Sequence, residues 1–400
     1  MDDRPAAATA ASDRLARGPA GDRLADYARM LRRAGAIADD AGERAFATVP
    51  RHRFLTRFRH QRWHEMPCDG PVPEEILDAV YGDNPLAFKI DEDSGQLVSA
   101  TTRPSLLARI LGALELSPGM RVLEIGAGIG YNAALIQAVT GAEVVSLDVQ
   151  PDVIADAEEA LRRCGVDGVV TVVGDGYDGH PARGPYDRIL ASCGIRGVPP
   201  AWVEQLAPGG FVLAPFAHGG AHPLVRFRLE RGRLRATGVG PWTDFMLAGG
   251  ALYQPFLGAH PARFAAGPFP EPTLSRQAVA PMTGEDYGDL WFFLAARSTR
   301  VTQAHVGGID PADGTAALLA EDAASAAVVQ SCGAVHATGP DAAALADDLA
   351  DLCAAWSACG RPAIGDWSAP MTRRPLPDGP LLVPDGWSVP AQRGGRRAAS

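Results

Sequence analysis

Cysteine is scarce. The six in 400 residues (Cys68, Cys164, Cys193, Cys332, Cys353 and Cys359) form no Cys-x-x-Cys pair. That speaks against a zinc site and against a disulfide framework, and it fits reduced thiols in a cytoplasmic protein. No metal site is expected, since His52, His60 and His64 lack ligand spacing. Long apolar runs are missing too: no stretch nears the roughly 18 residues that cross a bilayer. The first twenty residues, MDDRPAAATAASDRLARGPA, have charges where a signal peptide has its apolar centre, and they read as a disordered tail. Positive charge is in deficit, with 37 basic against 47 acidic residues and a net charge of −10. A general electrostatic grip on nucleic acid or anionic lipid is therefore not expected. The basic run RHRFLTRFRHQR (51–62) is local, and reads as a solvated face or a patch for an acidic partner.

What is present is a globular composition, 46% hydrophobic and 21% charged, long enough for two or three domains. Residues 21–96 begin with helical spacing (DRLADYARMLRRAG, ERAFATV) and become loop-rich after Pro50. Residues 97–240 alternate strand and helix, the pattern of a parallel sheet with crossover helices. Strands are predicted at 121–125, 143–149, 169–173, 186–192 and 211–216, and helices at 104–116, 130–140, 151–163 and 199–206. Pro104 and Pro151 stand where a first helical turn favours proline. Residues 223–239 read as an antiparallel hairpin. The alternation fades after 240 among Trp242, Phe245, Tyr253, Phe256, Phe264 and Phe269, and 241–375 reads as a smaller α+β domain. Residues 376–400 read as a tail.

EIGAGIG (124–130) follows a strand and opens a helix. Gly126, Gly128 and Gly130 permit a sharp turn, and with Ala127 they let a ligand approach the backbone. Asp148, followed by Val149, ends the second strand, where a carboxylate can accept both hydroxyls of a ribose. Asp175, followed by Gly176, sits after the third strand, within reach of an adenine amino group. Two cofactors stay open. A nicotinamide dinucleotide wants Gly-x-Gly-x-x-Gly and free amides for its pyrophosphate. The spacing here is Gly-x-Gly-x-Gly, and Glu124 would repel pyrophosphate while suiting the ammonium and sulfonium of S-adenosylmethionine.

Ser99, Thr101 and Thr102 cluster in LVSATTRPS (97–105), more hydroxyls than a helix cap needs. In order along the chain, VPRHRF (49–54), GDNPLAFK (82–89), GQLVSATTRPSLLARIL (95–111), SPGMRVLEIGAGIGYNAAL, GDGYDG (174–179), YDRILAS and QLAPGGFVLAPF (205–216) resemble the protein-L-isoaspartate O-methyltransferase family. The resemblance covers about 40–220. It implies a class I S-adenosylmethionine-dependent methyltransferase (Rossmann-like) α/β domain, the C-terminal α+β domain being additional, and transfer of a methyl group to an aspartyl or isoaspartyl carboxylate of a peptide. The family's Ser-x-Pro serine touches the reacting carboxylate. Matched on Pro104, Thr102 occupies that position, and Ser99 has the residue type but lies three positions early.

The threonine and the long C-terminal region resemble an actinobacterial branch that tailors ribosomally made peptides in graspetide and lanthipeptide clusters. That branch implies methylation of an aspartate in a macrocyclic or otherwise modified precursor, the ester closing to a succinimide (aspartimide) that persists or opens to isoaspartate. Repair of isoaspartate in damaged proteins is the alternative, and a non-catalytic peptide-binding module a further one. The C-terminal region would recognise the peptide, with Trp242, Phe245 and Tyr253 near the site entrance or in a core between domains. Cys193 could line the site. A monomer is expected, with neither nucleic acid nor membrane as partner.

Overall fold

The computed structural model describes residues 19–67, 70–90, 97–243, 245–252 and 266–389, and the chain divides into two compact units. The first comprises residues up to 192 together with 204–210, and the second 193–203 with everything from 211 on.

The first unit opens with helices α1 (Pro19–Arg33) and α2 (Asp40–Thr48). Strands β1 (Arg57–His60) and β2 (Arg62–Glu65), helix α3 (Glu74–Tyr81) and strands β3 (Ala87–Ile90) and β4 (Leu97–Ala100) follow. The four strands form a sheet in the order β2-β1-β3-β4. This corrects the expectation of helices and loops alone for residues 21–96. Residues 19 and 20, expected in a tail, start α1, and residues 1–18 lie outside the described residues.

The alternating segment folds as expected. Helix α4 (Pro104–Ala113) leads into β5 (Val122–Ile125), α5 (Tyr131–Thr140), β6 (Val144–Asp148), α6 (Pro151–Cys164), β7 (Val169–Val173) and β8 (Tyr186–Ala191). The parallel order is β7-β6-β5-β8, so β5 is flanked on both sides. Strand β5 is buried at every position and reads as a continuous apolar run broken only by Glu124. Helix α6 shows how its sequence sets its limits. Pro151 opens it, Val153, Ile154, Ala157, Ala160 and Leu161 give it one buried stripe, and Gly165 closes it at φ +67°.

Helix α7 (Pro200–Glu204) leads into β9 (Leu206–Pro215), whose first five residues belong to the first unit; from Phe211 on, in the second unit, β9 forms an antiparallel run with β10 (Leu224–Glu230) and β11 (Arg233–Gly238). Strands β12 (Ala266–Phe269) and β13 (Leu274–Gln277), helix α8 (Gly284–Arg297), strands β14 (Val301–Val306), β15 (Ala316–Leu319), β16 (Ala326–Val329) and β17 (Ala334–Thr338) and helix α9 (Ala342–Ala358) follow. The six strands order as β12-β14-β15-β16-β17-β13, and Phe292, Phe293, Trp356 and Trp367 are buried in one core with residues of that sheet. The chain then returns to the antiparallel run: β18 (Ser368–Arg374) pairs with β11, and β19 (Leu381–Pro384) with β18. Residues 381–384, expected in a tail, are thus a strand with Leu381 fully buried, because the apolar Leu-Leu-Val can cover a free strand edge. Trp242 lies 4.7 Å from the Trp291 ring and packs against this unit's own core; Phe245 is half-buried, and Tyr253 lies outside the described residues.

One buried side chain ties the first unit together. Arg51 is 1% exposed. Its guanidinium donates to the carbonyls of Val80 (2.6 Å) and Asn84 (3.3 Å), to the Thr101 hydroxyl (2.8 Å) and to the Thr102 carbonyl (3.5 Å). Replacing Arg51 with Met should cost about 3 kcal/mol or more in chemical denaturation, because buried carbonyls lose charge-assisted hydrogen bonds.

Candidate active site

The glycine turn between β5 and α5 is left-handed at three points, with φ of +95° at Gly126, +51° at Gly128 and +79° at Gly130. Phe88 of β3 lies over it, its ring tip 4.0 Å from where a Cβ on Gly128 would stand. The turn's amides are engaged within the protein. Gly126 and Ala127 donate to the Leu147 carbonyl (2.7 and 2.9 Å), Gly130 to the Ala127 carbonyl (2.9 Å) and Gly128 to an Asp148 oxygen (3.4 Å). An anion nest needs these N–H groups directed at the ligand. Committed in this way, the turn does not suit a pyrophosphate.

Asp148 ends β6 half-buried, each carboxylate oxygen accepting one backbone N–H, from Gly128 and from Gln150 (3.1 Å). Each oxygen keeps a lone pair for a further donor. Val149 beside it is 59% exposed, an apolar shelf at the strand's end. Asp175 is exposed and accepts from the Tyr177 amide (2.9 Å) through one oxygen; Gly176, which follows it, is buried. Lys89, the only lysine of the chain, spans from β3 to the start of α6, donating to Gln150 (2.8 Å) and Asp152 (2.5 Å).

Glu124 departs from the expectation of direct ligand contact. It is 0% exposed, and its carboxylate accepts from Asn132 (2.5 Å), Ser146 (2.7 Å) and Ser192 (2.9 Å). It forms a layer beneath the turn with no surface to offer. Burial pushes its carboxyl up to about 7, and the nearby Asp148 adds to this, against the pull of the three donors. The same network leaves Asn132 Oδ1 buried without a hydrogen-bond partner among the described residues, an acceptor open to a donor in a ligand.

The three hydroxyls of LVSATT separate into different environments. Thr101 Oγ1 accepts from Arg51 and from the Leu86 amide (2.9 Å), which makes it a structural tie and corrects its place among the catalytic candidates. Ser99 is buried within β4 at 7% exposure, so its hydroxyl is not presented at the surface. Thr102 is half-buried, and its hydroxyl has no hydrogen-bond partner among the described residues. It does not cap α4. The N-cap is Arg103, without a side-chain bond, and the first turn is held from elsewhere: Asp83 accepts from the Ser105 amide and from its hydroxyl, both at 2.8 Å.

Other candidates have structural partners. His52 Nδ1 lies 2.6 Å from the Tyr81 hydroxyl, with burial, then Arg53, lowering the imidazole to about 4, and His64 stacks on Phe58. Cys193 is half-buried and belongs to the second unit. Sequence reading gave no role to Arg51, Asp83, Asn132 or Ser192. All four lie in the motifs that carry the family resemblance, VPRHRF, GDNPLAFK, GIGYNAAL and YDRILAS, which were the available signal.

The model of the family described as protein-L-isoaspartate(D-aspartate) O-methyltransferase matches residues 64–239. The protein-L-isoaspartate O-methyltransferase of Pyrococcus horikoshii is 31% identical over 233 residues, 58% of this chain and 91% of that protein. That of Thermotoga maritima is 37% identical over 174 residues, 43% of this chain and 49% of that protein. A solved protein-L-isoaspartate O-methyltransferase structure aligns at a TM-score of 0.51 and 24% identity, over 89% of this chain and 98% of that one. Such coverage extends beyond the first unit, so the fold after residue 240 does not by itself set this chain apart from that protein.

The Glu124 environment makes a pH-dependent contribution to stability. The carboxyl titrates at its ordinary 4.5 in the unfolded chain and near 7 in the folded one. The contribution of its protonated form is complete below pH 4.5 and lost as pH rises through 7. Relative to Glu124→Gln, wild-type stability should therefore fall between those two values and level off above them. Denaturation midpoints of both proteins from pH 4.5 to 8 check this, and parallel profiles would mean that the folded carboxyl titrates as it does in the unfolded chain.

Proposed function

Because the chain belongs to the protein-L-isoaspartate O-methyltransferase family, we propose that it methylates the side-chain carboxylate of isoaspartyl residues in peptides or proteins. The observation that carries this reading is Thr102, whose hydroxyl is uncommitted among the described residues, beside the helix that Asp83 caps in its stead. S-adenosylmethionine supplies an electrophilic methyl group when bound. The donor set suits that ligand: Asp148 would hold the ribose hydroxyls, Asp175 the adenine amino group, and Val149 an adenine face. Asn132 Oδ1 offers an acceptor to the ammonium, and Glu124 positions Asn132 from below.

A substrate carboxylate is ionised at neutral pH, so no general base is required. The need is orientation and exclusion of water. Thr102 would donate to one carboxylate oxygen and leave the other free to attack. A hydroxyl does this without the full charge of a cation, which would hold the carboxylate more tightly and blunt its nucleophilicity.

A second reading is methylation of an aspartate in a modified precursor peptide, on the way to aspartimide. It is favoured by Thr102 at the family's serine position and by Ser99 lying three residues early. Methyl transfer to a linear isoaspartyl peptide and to its aspartyl isomer separates the readings. The proposal expects ester formation on the isoaspartyl peptide only. Rejection of both, with turnover of a cyclised precursor, would move the protein to the second reading.

Thr102→Ala should lower kcat/KM on the order of a hundredfold, leaving the melting temperature and S-adenosylhomocysteine affinity near wild type, while Thr102→Ser keeps most activity. Full activity in Thr102→Ala would remove the threonine from the site. Asp148→Ala should weaken S-adenosylhomocysteine binding by about tenfold or more in calorimetry, from the loss of a charged acceptor. Unchanged affinity would dismiss the ribose assignment.

A further inference from the structure

The four-stranded sheet has an outer face for which the methyl-transfer site has no use. Register sets Trp63 opposite Arg59, Arg59 opposite Ala87, and Ala87 opposite Ala100. Directly opposed residues share a face, so these four side chains stand in one row across β2, β1, β3 and β4. The row starts at an exposed arginine and a tryptophan that keeps 39% of its surface in solvent, crosses two alanines, and ends two residues before Thr102. Arg57, on the same face of β1, sits 4.1 Å from the Trp63 ring centroid, and its only carboxylate neighbour among the described residues is Glu65 at 3.9 Å. Arg59 has no hydrogen bond or ion pair among the described residues.

Two guanidiniums and an indole, with one distant carboxylate between them, are unusual on a chain of net charge −10. They take no part in the core, which β1 reaches through the buried Phe58 on its opposite face. We propose that this face binds an acidic segment of the same peptide that carries the methyl acceptor, an inference that rests on Thr102 as the carboxylate anchor. Three strand spacings separate Trp63 from Ala100, roughly 14 Å, which an extended peptide covers in about four residues. The methyl side chains of Ala87 and Ala100 leave a low path across the sheet between the two ends. An acidic side chain four or five residues from the acceptor therefore meets Arg59 and Arg57. A nucleic acid fits less well, because the same hairpin carries Glu65, and Arg62 is already paired with Glu75 at 3.2 Å.

The test uses two linear isoaspartyl peptides of equal length, with either Glu or Gln at the fourth and fifth positions on both sides of the isoaspartate. The wild type should favour the Glu peptide about fivefold in kcat/KM at low ionic strength, through KM, with the preference fading as salt is raised. The double variant Arg57→Gln/Arg59→Gln should treat the two peptides alike while keeping the wild-type rate on the Gln peptide. Equal use of both peptides by the wild type would overturn the proposal, as would a preference that survives in the double variant or a double variant that loses the Gln peptide as well. Fluorescence anisotropy with a labelled Glu peptide separates docking from chemistry. Binding that the double variant loses, without methylation by either protein, supports the docking face and overturns the acceptor assignment; absence of both binding and methylation overturns the two together. Tighter binding of a single-stranded oligonucleotide than of the Glu peptide would also overturn it.

Discussion

A guanidinium that cannot shed its proton, sealed from water, must find an acceptor for each donor or the fold is penalised by several kcal/mol. Arg51 answers that demand at both terminal nitrogens without a carboxylate in ion-pair range among the described residues, drawing on backbone carbonyls and one hydroxyl from segments 29 to 51 residues away in sequence. The consequence reaches the site in two steps. Fixing Val80 and Asn84 holds Asp83 between them, and Asp83 takes over the first turn of α4 through Ser105. With Thr101 and the Thr102 carbonyl fixed, the half-buried Thr102 hydroxyl keeps no hydrogen-bond partner among the described residues. A side chain released from capping is available for chemistry.

The second constraint is the engaged glycine turn. In a dinucleotide fold the loop amides await phosphate oxygens, whereas here Leu147 and Asp148 already receive them. What the turn's surroundings still offer is strand-end carboxylate oxygens and a buried amide oxygen, acceptors that suit hydroxyls, amines and positive charge. The buried Glu124 belongs to the same design. Its donors stand on neighbouring strands or on the helix that follows the turn, so it fixes the geometry of the loop while remaining out of a ligand's reach.

The parallel strands were legible because a strand buried on both faces is a short apolar run between turn residues, and helices 104–113 and 151–164 announced themselves through proline at the first turn. The positions of Asp148 and Asp175 were legible for the same reason, since each marks where such a run stops. The sheet at 57–100 was not, since its strands are only four residues long, and the first two, rich in arginine and histidine, give too short an alternation to tell from a basic helix face. Glu124 was readable as an acid but not as a buried one, because Ser146 and Ser192 become its partners only through strand pairing. The separation of Ser99, Thr101 and Thr102 depended on Arg51 and Asp83, both distant in sequence. Trp242 was ambiguous between an entrance and a core, and its stacking on Trp291 uses the ring in packing.

Lys89 is the sole lysine in 400 residues, and it ties β3 to Gln150 and Asp152 at the start of α6, beside the Asp148 edge of the candidate site. Apart from the α-amino group, amine-reactive reagents therefore have a single address on this protein. A fluorophore or isotope-labelled acyl group attached there would report on that edge of the site alone. Its reactivity would also track how firmly Asp152 and Gln150 retain the ammonium, so ordinary lysine chemistry becomes a position-specific probe without engineering.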